Sequence, residues 1–178
     1  MNSLRNFYFL RAAVTFAWVA LAFLCRAAPT LVVGVLLVAY PAWDAFANIL
    51  DARRSGGLQE NPGQRFNAIT SGITAACMAL AFALHGNAGG VLVFGIWALL
   101  SGLFQLGVGI QRRKLGGQAF MMISGAQSAL AGVVFSIQAF KTAPDIAGLA
   151  PYAAFGGFYF LLSALWLTFR KPREAAVR

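Results

Sequence analysis

Six runs of apolar residues, at about 8–25, 30–50, 67–86, 88–111, 118–140 and 147–169, occupy the chain almost from end to end. Each is close to the ~20 residues that carry a helix across ~30 Å of hydrocarbon. None alternates apolar with polar positions as a membrane strand does. Without water a spanning segment must satisfy its own backbone, so the pattern predicts helices. Turn-forming stretches separate the runs: RAAP at 26–29, SGGLQENPG at 55–63, HGNAGG at 85–90, KLGG at 114–117 and KTAPD at 141–145. The expected fold is all-α, a polytopic membrane protein with six transmembrane helices in a single domain over residues 1–178.

The even-numbered runs share a signature. YPAWDAFAN at 40–48, WALLSGLFQ at 97–105 and YFLLSALWL at 159–167 each place an aromatic residue four positions before a small polar or acidic one. The aromatic residues are Tyr40, Trp97 and Tyr159; the polar ones are Asp44, Ser101 and Ser163, followed at once by Ala45, Gly102 and Ala164. The odd-numbered runs match more weakly, through ALAF at 20–23 and 79–82 and Ser-Gly at 71–72 and 124–125. The chain therefore reads as three helical hairpin repeats, about 8–50, 67–111 and 118–169, followed by a short basic cytoplasmic tail at 170–178. Lipid gives helices no hydrophobic reason to associate, so small residues should form the seams. Gly95, Gly102 and Gly109 recur every seven positions, as do Gly125 and Gly132, and Gly72, Ala76 and Ala79 form a third stripe.

Charge sets the orientation. Twelve of the 14 Lys and Arg residues fall on one side of this six-span arrangement; only Arg26 and Lys141 fall on the other. The positive-inside rule then puts both termini in the cytoplasm. Composition agrees with lipid as the solvent: 60% of residues are hydrophobic and 11% charged, where a soluble domain has roughly a quarter charged. The net charge of +9 lies in short clusters between apolar runs, with no basic stripe or RNA-binding signature, which argues against nucleic acid as a partner. The partner expected is the bilayer, with a second copy or another membrane protein left open. Residues 1–29 read as a first membrane helix rather than a signal peptide, since they take part in the repeat. Cys25 and Cys77 lie at different depths, too far apart for a disulfide.

Catalytic chemistry is poorly supplied. The single histidine, His85, offers no imidazole pair, and there is no HExxH motif or cysteine cluster, so no enzyme, metal or cofactor is expected. His85 reads as a polar end-cap at the outer mouth of the third run, with pH sensing the sharper alternative. Polar residues inside the runs concentrate in the cytoplasmic half. Asp44, Asn48 and Asp51 share one face of the second run, and Tyr40, Asn48, Ser101, Gln105 and Gln127 form a candidate polar face. Two readings follow: interhelical hydrogen bonds acting as glue, or a vestibule open to the cytoplasm. Glue is preferred, because no polar track reaches the outer side. Arg11 and Asp44, opposite charges on the two helices of the first hairpin, form a candidate intramembrane ion pair. Pro41 removes a helical donor one turn before Asp44, so a kink is expected there.

The segment LRAAVTFAWVALAFLCRAAPTLVVGVLLVAYPAWDA resembles the repeat of the HdeD family of bacterial inner-membrane proteins. Arg11, Pro29, Tyr40 and Asp44 stand where that repeat has its arginine, turn proline, aromatic residue and aspartate; Ala12 and Ala45 replace its two glycines. The resemblance implies a six-helix protein of the bacterial inner membrane, loosely linked to acid-stress resistance. The expected function is that of a non-enzymatic membrane protein acting through packing or partners. The alternative is a small transporter or channel with a polar cytoplasmic-side cavity around Asp44.

Overall fold

Long apolar runs leave the α-helix as the way for the backbone to satisfy its own N–H and C=O groups, and the computed structural model of the chain is helical in nearly all the residues it describes. Those are residues 2–111, 113–115, 119–141 and 144–169. The helices are α1 (Asn2–Leu24), α2 (Thr30–Arg54), α3 (Pro62–Gln111), α4 (Ala119–Gln138) and α5 (Ala150–Phe169), with short 3-10 turns at Arg113–Leu115 and Ile146–Leu149. Four segments, Leu4–Leu24, Thr30–Arg54, Pro62–Gln111 and Ile146–Phe169, are long and apolar enough to cross a membrane, and Met122–Gln138 is a shorter apolar helix. The expected basic tail, together with Arg112, Gly116 and Gly117 of the KLGG turn region, lies outside the described residues.

A straight helix of 50 residues would extend roughly 75 Å, but α3 is not straight. Gly86 leaves the helical region at φ 59°, ψ −143°, and the chain folds back there. Phe66 and Phe104 consequently stack with ring centroids 4.3 Å apart. The limbs 62–85 and 87–111 are thus antiparallel, and the turn expected over 85–90 is compressed into one residue. So tight a reversal needs a second glycine: a Cβ at Gly89 would overlap the Ala81 carbonyl.

The helices do not pair as the sequence suggested. α1 lies mainly on α5, α2 on α3, and α3 on α4, while α1 and α2 touch sparingly. α1 and α2, expected as neighbours in one hairpin, meet through Arg11 and Asp44 and through Trp18 and the Leu36 carbonyl. α5 offers the smoother face, with Ala150, Ala153, Gly157 and Ala164 buried; a Cβ at Gly157 would already stand 3.1 Å from Thr15 Cγ2. Between the second limb of α3 and α4 the glycine seam forms as its spacing implies. A Cβ at Gly102 would lie 2.6 Å from the Gly125 carbonyl oxygen, and one at Gly132 2.6 Å from that of Gly95.

The third stripe is a correction. Gly72, Ala76 and Ala79 face outward, and the buried stripe is Ala68, Ser71, Thr74 and Met78. Ser71 donates to Asp44 across the helix interface, which puts its face, with Thr74, inside and turns the small apolar residues out. α2 runs as one continuous helix through buried Pro41. Trp18 Nε1 donates to the Leu36 carbonyl at 2.7 Å, beside the Leu37 carbonyl whose helical donor the proline removes.

Phe94, with no exposed surface, is the hub of an aromatic layer. Its ring lies 5.6–5.9 Å from those of Tyr40, Trp97, Phe135 and Tyr152, and Trp18 packs on Tyr40 at 4.6 Å. The turn before α5 joins this core through Ile146 and Leu149. Its start is fixed by Asp145, whose side chain accepts from the Ala147 N–H at 3.0 Å. Large apolar side chains such as Leu31, Leu80, Leu130 and Phe140 cover the outside.

Candidate functional site

Arg11 lies on the inward face of α1, one turn beyond Phe7 and one before Thr15, and is 9% exposed. Its Nη2 donates to Asp44 Oδ1 at 2.5 Å, and its guanidinium carbon stands 4.0 Å from the centroid of the Phe160 ring on α5. The other oxygen of Asp44 accepts from Ser71 Oγ at 2.8 Å and from Asn48 Nδ2 at 3.1 Å. The same Asn48 amide also donates to the Asp44 main-chain carbonyl at 2.8 Å. One carboxylate thereby ties α1, α2 and the first limb of α3 together where α1 and α2 otherwise barely meet. A charge in this setting is costly alone and tolerable when paired and hydrogen-bonded. Arg11 Nε is buried without a partner among the described residues.

This cluster forms one wall of a half-open cavity of about 580 Å³ lined by residues of all five helices. Tyr40, Asn48, Ser101, Gln105 and Gln127 all line it with Arg11 and Asp44, so the structure brings together the candidate polar face and the candidate ion pair. The cavity extends to Asn67 and Val108, within two turns of the ends of α3. In the opposite direction Tyr40, Trp97 and Tyr152 belong both to its lining and to the aromatic layer around Phe94. That layer is its floor.

The polar groups divide into two sets. Some hold helices together: Ser71 on Asp44, and Ser128, which bonds the Ala98 carbonyl at 3.0 Å and the Tyr152 hydroxyl at 2.7 Å. Others face the cavity. Among the described residues, Asn67, Ser101, Gln105 and Gln127 make no side-chain hydrogen bond to protein. Asn67 is exposed and the other three are half-buried, so their polar groups are open to water or a solute.

His85 is exposed next to the Gly86 reversal and does not line the cavity. Asp51 also lies apart from it, accepting from Gln64 Nε2 at 3.2 Å. Both cysteines are free. Among the described residues no three His, Cys, Asp or Glu side chains gather. Both oxygens of the one cavity carboxylate accept hydrogen bonds, and what surrounds it are amides, hydroxyls and rings, chemistry suited to binding.

Three participants escaped the sequence reading. Asn67 carried a usable signal, four positions before Ser71 and so on its face. Tyr152 sits near the start of its run, where aromatic residues ordinarily mark a membrane interface. Phe160 is one apolar residue among many, and nothing in its neighbours marks it as the ring under Arg11. No protein-family model matches this chain, and neither a curated protein nor a solved structure does.

Proposed function

We propose that the chain is an integral membrane protein of six spans whose working part is the polar cavity, a vestibule that admits a small solute from the cytoplasm. The observation that carries this is the 580 Å³ cavity lined by amides and hydroxyls that, among the described residues, make no side-chain hydrogen bond to protein. It reverses the preference for glue, since glue would leave those groups bonded to one another. With the far side closed by the Phe94 layer, the arrangement suits binding, or one state of a transporter, better than an open channel.

The six spans follow if each limb of α3 crosses once. Each limb has about the ~20 residues a crossing needs. The packing also supports the threefold repeat. α2 meets the first limb of α3 where Asp44 contacts Ser71, Asp51 contacts Gln64 and Gly34 contacts Phe82, and it also reaches the second limb at Gly90. The second limb lies on α4 and α5 on α1, so each even-numbered run packs on the odd-numbered run that follows and the last closes on the first. Ala45, Gly102 and Ala164, the matching small residues of the three repeats, are all buried. The cytoplasmic placement of both termini rests on the charge bias, and the bacterial inner membrane on the likeness of Arg11, Pro29, Tyr40 and Asp44 to the HdeD-like repeat. A role in acid resistance has no further support from the site.

A single cysteine at position 101, with Cys25 and Cys77 replaced, tests the vestibule. A membrane-impermeant thiol reagent should label it in inside-out vesicles and leave it untouched in right-side-out ones. Protection in both would mean a dry, glued interior and would end the proposal; labelling from outside would reverse the orientation.

A further inference from the structure

We infer that the cavity takes an uncharged, hydroxyl-rich solute of the saccharide or polyol class. The inference rests on the reading of the cavity as a wet vestibule and adds the identity of what enters it.

Charge comes first. The cavity holds one cation and one anion, Arg11 and Asp44, bonded to each other. Both Asp44 oxygens are occupied, by Arg11 on one side and by Ser71 and Asn48 on the other. A cation would find no vacant carboxylate oxygen. An anion would meet a guanidinium whose charge Asp44 already balances and whose face lies over the Phe160 ring. Either ion would add net charge to a site that has none, inside a bundle whose surroundings are apolar, where uncompensated charge is expensive.

Hydrogen-bond type then narrows the choice. Carboxylates only accept and ammonium groups only donate, whereas amides and hydroxyls do both. Among the described residues, the groups that line the cavity without a side-chain hydrogen bond to protein include the amides of Asn67, Gln105 and Gln127 and the hydroxyls of Thr70, Ser101 and Ser124. The complementary solute likewise presents several groups that both donate and accept, which describes a polyhydroxylated molecule. Trp97 and Tyr159 supply flat apolar surface beside them, matching the C–H faces of a sugar ring. A lining of rings with a few placed polar groups is the usual form of a small-molecule site, and 580 Å³ lies within the ~300–1,000 Å³ such sites occupy.

The experiment measures binding of radiolabelled glucose and sorbitol to the full chain in lipid nanodiscs. Saturable binding is expected, competed by unlabelled glucose or sorbitol and not by serine, phosphate or potassium ions. The Gln105→Leu/Gln127→Leu variant, which removes two amides while leaving the ion pair in place, should weaken it by about tenfold or more. Competition by a glucosyl diacylglycerol built into the nanodisc, in place of free glucose, would support the same chemistry with the membrane as its source. Absence of saturable binding through the millimolar range, or competition by serine or phosphate, overturns the inference. If the cysteine at position 101 is still labelled from the cytoplasmic side in that case, only the solute class is wrong. If it is not labelled, the vestibule itself fails.

Discussion

Each oxygen of Asp44 has a different task, and substitutions should separate them. Oδ1 neutralises Arg11, while Oδ2 gathers Ser71 and Asn48. Removing one member of a buried pair leaves the other charge uncompensated, so Asp44→Asn or Arg11→Gln should each cost about 3 kcal/mol. The double substitution should cost less than the sum, because no lone charge remains. Thermal unfolding of the four proteins in detergent gives the coupling; strict additivity would mean that the two groups do not share an ion pair in solution. Ser71→Ala removes one bond to the carboxylate and should cost about 1–2 kcal/mol. The pair was legible in the sequence because few charges lie within apolar runs, and Asn48 because it sits one turn from Asp44. Ser71 was legible only as a polar residue; that it meets Asp44 depends on α2 lying against α3, which no local pattern encodes.

Helices here are positioned by what they lack. Gly102 faces Gly125 and Ala129 at backbone contact, whereas nothing lies within 4 Å of a Cβ built at Gly72. Gly102→Val should therefore force α3 and α4 apart at a cost of 1–3 kcal/mol or more, while Gly72→Val should stay within about 0.5 kcal/mol. Equal losses in denaturation midpoint would contradict the packing. At the reversal, Gly86→Ala meets no steric neighbour but needs a positive φ, an expected loss of about 1–3 kcal/mol. The seven-residue glycine spacing announced the α3–α4 seam correctly. The same logic chose the wrong face of the first limb, since small residues pack helices or face lipid equally well and only the hydroxyls beside them decide. The break at Gly86 was legible as a turn, though not as one confined to a single residue.

For the molecule as a whole, the floor matters as much as the cavity. Phe94 touches four other rings. Phe94→Ala should cost about 3–5 kcal/mol and let water through the layer. In the single-cysteine protein at position 101, that substitution should convert one-sided labelling into labelling from both sides. Labelling that remains one-sided would place the barrier elsewhere, with Ile146 and Leu149 the next candidates. That the chain is built of long apolar helices was readable from hydropathy alone. The order of helices around the cavity was not: short connections suggested sequential hairpins, and the chain instead joins its first helix to its last.

That closure has a consequence in time. The main packing partner of α1 is α5, which is made after the other four helices, and synthesis at ~5–20 residues per second separates the two by on the order of ten seconds. During that interval α2, α3 and α4 can already assemble, while α1 waits in the bilayer with its inner face uncovered, tethered to the rest chiefly through Arg11 and Trp18. The ion pair therefore has a second use as a temporary mooring, keeping the first helix beside the growing bundle until its partner arrives to complete the ring.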